Sequence, residues 1–156
     1  MRRAINIIHA DNWGKDEVLG TITLPYQDRY RRRIKMHDDD GGALLLDLAE
    51  AVQLEEGDAL VLEEGGVIAV KAAEEDVLDI QCATTAQAAR IAWHIGNRHT
   101  PVQILDNGIL RITYDHVLEI MLEGLGAKTI RNKAAFSPEQ GAYNISKNSD
   151  GHPYGH

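Results

Sequence analysis

Cysteine is nearly absent from this sequence: Cys82 is the single one among 156 residues. One thiol cannot form an internal disulfide, and it cannot build the multi-thiolate sites that hold structural zinc or iron–sulfur clusters. Metal chemistry in this chain would therefore depend on imidazole and carboxylate ligands. We expect Cys82 itself to be a small buried hydrophobic residue.

Long apolar runs are missing as well. No stretch approaches the roughly 18 consecutive apolar residues that a membrane helix needs. The N-terminal sequence MRRAINIIHADNW reaches His9 and Asp11 too early for the apolar core of a secretory signal. We therefore expect a cytoplasmic protein with no membrane association.

Positive charge is scarce, since the net charge is −8. This balance argues against a general nucleic-acid binder, which needs a basic face to neutralise phosphates. The charge is also uneven: residues 1–75 carry 9 Lys and Arg against 16 Asp and Glu, whereas residues 76–156 carry 7 against 8. The second half holds five of the seven histidines, all at or after position 94. We therefore predict two units of different character.

Common catalytic signatures are missing too: the sequence has no Gly-x-Ser-x-Gly, no His-Glu-x-x-His and no phosphate-binding loop. The paired glycines at 41–42 and 65–66 are typical of turns. No catalytic set therefore emerges from the motifs. The enzyme alternative is a zinc hydrolase in which His116, Glu119 and a C-terminal histidine hold the metal with one position left open for water.

The first half is predicted to be a small all-β domain spanning residues 1–75. Short apolar runs alternate with Gly and Pro turn signals, and no segment keeps a helical period. The acidic stretch at 72–76 is either a linker or the start of a strand. The six predicted strands are Ala4 to His9, Glu17 to Leu24, Arg31 to His37, Ala43 to Leu48, Ala59 to Glu63 and Val67 to Lys71.

The second half has a different pattern, which predicts a βαββαβ order over residues 76–142. Each helix follows an N-cap residue, Thr84 or Asp115, and the first should stop at Gly96. Asp106-Asn107-Gly108 predicts a hairpin turn. This order specifies a ferredoxin-like fold, so the whole chain is predicted to be α+β, with a mobile histidine-bearing tail over 143–156. The predicted strands are Val77 to Ala83, Pro101 to Leu105, Ile109 to Thr113 and Ala127 to Arg131.

Four histidines are candidate metal ligands. His99 should lie in an exposed turn after the first helix, although a lone loop histidine is more often plain surface. His116 should lie in the first turn of the second helix, where the positive dipole end favours the neutral ring that binds metal, and Glu119 shares its helix face. His152 and His156 are four residues apart in the tail and can close around an ion there.

The sharpest charge contrast runs from Arg29 to Arg33, followed by Lys35 and then Asp38 to Asp40. Two interpretations have equal weight. Either the segment is a solvated strand whose cations pair with nearby acids, or it is a patch that binds a partner.

Four segments in order resemble a known family: HIGNRHTPVQI at 94–104, DHVLEIMLEGLG at 115–126, FSPEQGAY at 136–143 and the histidine-bearing tail. They look like the metal-binding domain of the UreE family, the urease accessory nickel metallochaperones. The stretch from Thr23 to Leu60 resembles the family's N-terminal domain. The resemblance covers nearly the whole chain.

The resemblance implies a homodimeric carrier that is not an enzyme and that gives Ni(II) to apo-urease. Zinc or copper would be alternative metals at the same site. It implies that His99, in the Gly-Asn-Arg-His element, binds nickel at the dimer interface, with His152 and His156 as mobile ligands. Some relatives have a histidine pair near the second helix, but here only His116 matches, and Tyr114 occupies the other position.

The implied partners are the GTPase UreG and the complex of urease apoprotein with its accessory proteins. The N-terminal domain would resemble a peptide-binding chaperone module. The third hypothesis, a peptide-binding chaperone with incidental histidines, would depend on that domain alone.

Overall fold

The computed structural model describes residues 1–14 and 17–141. The chain forms two compact units. Among the described residues, the first consists of Met1–Glu75 with Lys133–Ser137, and the second consists of Asp76–Asn132 with residues 138–141. None of the helices among the described residues is long and apolar enough to cross a membrane.

The first unit is a six-stranded mixed sheet with the strand order β2-β6-β5-β1-β4-β3. Short 3-10 turns at Ala10–Asn12 and Tyr26–Asp28 precede β2 and β3. The all-β prediction is confirmed, and all six predicted strands are present. Their ends shift by one or two residues, except that β4 continues to Gln53, beyond the predicted end at Leu48. The strands are β1 (Arg2–Ile8), β2 (Val18–Leu24), β3 (Tyr30–His37), β4 (Ala43–Gln53), β5 (Ala59–Leu62) and β6 (Val67–Ala72).

The core of this unit follows from strand alternation. On β4, Leu44, Leu46 and Leu48 are buried, because successive side chains of a strand point to opposite faces. They belong to one apolar cluster with Ile22 of β2 and Leu60 of β5. The buried face fixes the register, since a slip of one residue would turn Leu44, Leu46 and Leu48 towards water.

The acidic run after β3 is structural. Asp38 accepts hydrogen bonds from the backbone of Gly42 (2.8 Å) and Asp40 (3.0 Å), and it pairs with Arg2 at 2.8 Å. Asp39 accepts from the hydroxyls of Thr21 (2.6 Å) and Thr23 (2.8 Å). These contacts tie the β3–β4 turn to β1 and β2.

Asp39 should make the protein sensitive to acid. The hydrogen bond from Thr21, aided by those from Thr23, lowers the pKa of this carboxyl. Its stabilising effect is therefore complete above the ordinary aspartate value of about 4 and is lost as pH falls through the lower folded value. We expect Asp39→Asn to lower Tm at neutral pH and to flatten the fall of Tm between about pH 5 and about pH 3. Asp40→Asn is the matched control, and an identical Tm profile for both variants would contradict this role.

Arg29 is fully buried, which corrects the prediction that it belongs to an exposed basic patch. Its guanidinium donates to the carbonyl oxygens of Leu24 (2.9 Å) and Phe136. The Phe136 ring is also buried and meets Tyr26 edge to face, with 5.6 Å between ring centroids. Residues 133–137 thus complete the first unit, although the last strand, Lys128–Ala135, begins in the second unit and Lys133 to Ala135 form its end.

The second unit shows the predicted βαββαβ order. Its sheet has the order β10-β7-β9-β8, and β9 is antiparallel to both β7 and β8. This is the ferredoxin-like arrangement, so that prediction is confirmed. The elements are β7 (Glu74–Gln81), α1 (Thr85–Asn97), β8 (Gln103–Ile104), β9 (Leu110–Thr113), α2 (His116–Gly124) and β10 (Lys128–Ala135).

Local signals set most element ends in this unit. Thr84 caps α1 by accepting from the Gln87 amide, and Asp115 caps α2 by accepting from the Leu118 amide, both at 3.0 Å. Strand β7 begins only two residues after β6 ends, so the acidic stretch starts a strand and is not a linker. Strand β8 is shorter than predicted, because Pro101 lacks the amide hydrogen that would extend its pairing.

Both helices pack one face on the sheet. Ile91 and Ile95 of α1 and Leu118 and Leu122 of α2 are buried at helical spacing. They form one cluster with apolar residues of β7 and β9. This packing holds the ends of the two helices, where the candidate ligands lie, on an ordered scaffold.

Candidate metal centre

His99 lies just beyond the C-terminus of α1 and is exposed. Helix α1 runs through Gly96 to Asn97, and Arg98 is its C-cap. The His99 amide donates to the Gly96 carbonyl (2.9 Å), and the Thr100 amide donates to the Ile95 carbonyl (3.3 Å). These two bonds form a Schellman motif, in which the residue after the cap adopts a left-handed conformation.

The left-handed residue is His99 itself, with φ of 57°. Among the described residues it is the only one other than glycine with positive φ. Glycine usually fills this position, because a Cβ atom there crowds the backbone at a cost of roughly 1–2 kcal/mol. A strained non-glycine residue at an exposed turn points to a use for its side chain.

The prediction that Gly96 ends the helix is wrong. Its φ is not among the positive values, and Asn97 is the last helical residue. The physical reason is that the amides of His99 and Thr100 donate the bonds that close the helix, so the chain reverses at His99 and Gly96 stays helical.

The last turns of α1 also carry Trp93 and His94, whose rings meet edge to face with centroids 5.1 Å apart. Trp93 is 62% exposed. Large apolar side chains that remain exposed beside a candidate site are typical of surfaces that meet another protein. His94 is half-buried and leans on this ring, so packing accounts for its presence.

His116 occupies the first position of α2, as predicted, and its side chain is mostly exposed. Its Nδ1 atom lies 3.7 Å from Oε1 of Glu119, which is too far for a hydrogen bond. The same Oε1 atom accepts from the Tyr114 hydroxyl at 3.2 Å. Burial, and then the bond to Glu119, raises the pKa of Tyr114, so its phenol stays protonated at neutral pH. Tyr114 therefore engages the carboxylate as a hydrogen-bond donor.

Arg131 completes this cluster, and no motif or spacing in the sequence pointed to it. Its guanidinium lies 3.8 Å from the centroid of the Tyr114 ring and forms a bidentate pair with Asp76 (3.0 and 2.7 Å). The Asp76 carboxylate is thus already paired with a cation. The described part of the cluster offers a metal one imidazole, from His116, and one carboxylate, from Glu119.

No group of three histidine, cysteine, aspartate or glutamate side chains among the described residues is arranged to hold a metal ion. His99 and His116 therefore each lack a complete ligand set within the part of one chain that the structure describes. His152 and His156 lie outside the described residues. A site at either histidine would need ligands from the tail, a second chain or solvent.

Comparison with known proteins covers both units. A model of the UreE urease accessory protein N-terminal domain matches residues 2–73, and one of the C-terminal domain matches residues 75–156. Urease accessory protein UreE of Bradyrhizobium sp. (strain BTAi1) is 43% identical over 97% of this chain and 73% of its own length. The UreE of Rhodopseudomonas palustris (strain BisB18) is 47% identical over 92% of this chain and 67% of its own length. The UreE of Rhodobacter capsulatus is 41% identical over 99% of this chain and 94% of its own length.

Proposed function

The chain belongs to the UreE family of urease accessory proteins, and we propose that it carries Ni(II) and delivers the ion to apo-urease while the urease active site is assembled. Nickel is its cargo and is neither a resident cofactor nor a catalyst. The protein acts in the cytoplasm as a carrier and not as an enzyme. Its direct partner is the GTPase UreG, within the complex of urease apoprotein and accessory proteins.

The observation that carries this proposal is the geometry of His99. His99 places an exposed imidazole at a strained position where glycine would be more stable. A structural role therefore does not explain why a histidine stands there, whereas a role in binding does. Neutral imidazole is a good ligand for nickel, and also for zinc and copper, which could compete at the same site.

A single histidine is a weak metal site, so the proposal includes a homodimer formed through the second unit. A two-fold axis would bring two copies of His99 together and leave further positions free for exchange. The exposed Trp93 on the helix that ends beside His99 supports an interface there. An open site suits a carrier, which must load its ion and then release it to another protein.

Light scattering on metal-free protein tests the dimer. We expect a dimer at micromolar concentration without metal, because packing must hold the two histidines close before nickel binds. A protein that stays monomeric both before and after nickel addition would refute the shared site.

The tail histidines are proposed as mobile ligands that assist His99. Ordering them costs about 1–2 kcal/mol of backbone entropy per residue, so their net contribution should be smaller than that of His99. Removing residues 148–156 should lower the number of bound ions or weaken the tightest site, yet leave measurable nickel binding. Calorimetry on the truncated protein measures both quantities. If truncation removed all binding, the tail alone would be the site.

His116 is proposed as an accessory ligand, supported by its exposed ring and by the nearby Glu119 carboxylate. The Tyr114 hydroxyl already occupies part of that carboxylate, and the charge of Arg131 lies close by. Both features weaken the attraction for a cation, so His116 should contribute less than His99.

A further inference from the structure

The basic segment singled out in the sequence has no place in the proposed metal site. With Arg29 buried, its remaining cations are Arg31, Arg32, Arg33 and Lys35, all on β3. Strand β3 carries no carboxylate, and it belongs to a unit that is acidic as a whole. It is also the last strand at one edge of the six-stranded sheet.

We propose that the free edge of β3 binds an acidic, extended segment of a partner protein, which adds to the sheet as a further strand. Main-chain hydrogen bonds would supply affinity, and carboxylates at alternate positions of that segment would meet the cations of β3. This inference is independent of nickel binding.

The backbone of β3 is available for such pairing. Residues 30–37 pair with β4, and they take part in no other backbone hydrogen bond that the structure shows among the described residues. The pairing with β4 is regular from Arg33, opposite Asp47, to His37, opposite Ala43. The β-bulge lies before Arg33. A regular stretch of five residues spans roughly 17 Å, which is the length of an ordinary strand.

The charges on this edge are only partly neutralised. Arg31 pairs with Asp28 at 3.0 Å. Arg33 lies 3.9 Å from Asp47, and that carboxylate is already bound by Arg3 at 2.7 Å. Lys35 is exposed and is found in none of the ion pairs between described residues. The strand therefore has cationic side chains left for a partner.

Burial on the opposite face shows which way these side chains point. Met36 is buried and Ile34 packs against the core of the first unit. Because side chains alternate along a strand, Arg33 and Lys35 project from the other face. An incoming strand whose acids alternate with neutral residues would place its carboxylates next to them.

Edge strands often carry cations simply to prevent aggregation. Here the same charges also select a partner. Two copies of β3 repel each other along the edge, whereas a strand with carboxylates is attracted. A long polyanion such as nucleic acid would extend beyond the strand into the acidic surface of this unit, so a short acidic segment fits better.

The test uses the full-length protein, labelled for NMR, and a synthetic peptide in which Glu and Thr alternate over about eight residues. When the peptide is added, we expect the largest chemical-shift changes at the backbone amides of β3. Arg33→Glu/Lys35→Glu should weaken binding at least about tenfold, because like charges would then face each other. Lys35→Glu alone, which removes no ion pair seen in the structure, should also weaken binding of the peptide.

Two controls separate strand addition from simple charge attraction. Lys71→Glu/Lys128→Glu changes the net charge equally at exposed lysines elsewhere and should alter binding less than about twofold. A peptide with every backbone amide N-methylated keeps its carboxylates but has no N–H group to donate to β3, so it should bind at least about tenfold more weakly. Equal loss in both double variants, full binding of the N-methylated peptide, tighter binding of an oligonucleotide, or no chemical-shift change on β3 would each overturn the proposal.

Discussion

Phe136→Ala should lower the free energy of unfolding by about 3–5 kcal/mol, the usual cost of removing a buried aromatic ring. The ring is 1% exposed and contacts Tyr26 edge to face, and its carbonyl oxygen accepts from the buried Arg29. Urea denaturation followed by circular dichroism gives the value. Ile130→Ala, at a half-exposed position on β10, the strand that ends just before Phe136, is the control and should cost less than about 1 kcal/mol.

The region that Phe136→Ala destabilises tests the packing of this ring as directly as the size of the change in free energy of unfolding. Because residues 133–137 belong to the first unit, amide exchange should accelerate more in β2 and β3 than in α1 and α2. A cost below about 1 kcal/mol, or faster exchange confined to the second unit, would contradict the packing of Phe136 described above.

His99→Gly should be more stable than His99→Ala by about 1 kcal/mol, because both remove the imidazole but only alanine keeps a Cβ atom at a left-handed position. Thermal denaturation of the two variants measures the difference. The expected order is the opposite of ordinary helix propensity, in which alanine exceeds glycine.

Gly96 supplies the matched control within the same helix. Its φ is not positive and nothing lies within 4 Å of a Cβ atom built there. Gly96→Ala should therefore stabilise the protein by about 0.5–1 kcal/mol. Should alanine be preferred at both positions, the left-handed conformation of His99 would be incorrect, together with the argument that its side chain is kept for function.

Local chemistry made much of the fold predictable. The alternation of apolar residues along β4 predicts its buried face, and Thr84 and Asp115 predict the starts of both helices. Asp106-Asn107-Gly108 predicts the hairpin, where Gly108 has positive φ. In each case the residues that determine the structure are neighbours in sequence.

Contacts between distant residues were not predictable in the same way. Arg29 looks like part of an exposed basic run, but it is buried because it meets Phe136, 107 residues later. The cluster of Arg131, Tyr114 and Glu119 likewise depends on β10 lying in the same sheet as β9. Gly96 is a stop signal by residue type, but the bonds that close the helix are donated by His99 and Thr100, so the helix includes Gly96 and Asn97.

The candidate site likewise has features that the sequence predicts and features that it does not. The exposed turn after α1 could be predicted from sequence, and the structure confirms that His99 lies there. Its left-handed conformation could not be predicted, because residue type favours Gly96 or Asn97 for that role. The metal-binding roles of His99, His116, His152 and His156 remain predictions.

Nickel titration calorimetry on the full-length protein beside His99→Ala tests whether His99 is the principal nickel ligand, with light scattering and circular dichroism on the same samples. We expect His99→Ala to lose the tightest nickel site while the variant remains folded and dimeric, since an exposed turn residue contributes little packing energy. A His99→Ala protein that binds nickel with the affinity and stoichiometry of the unaltered chain would contradict this role of His99.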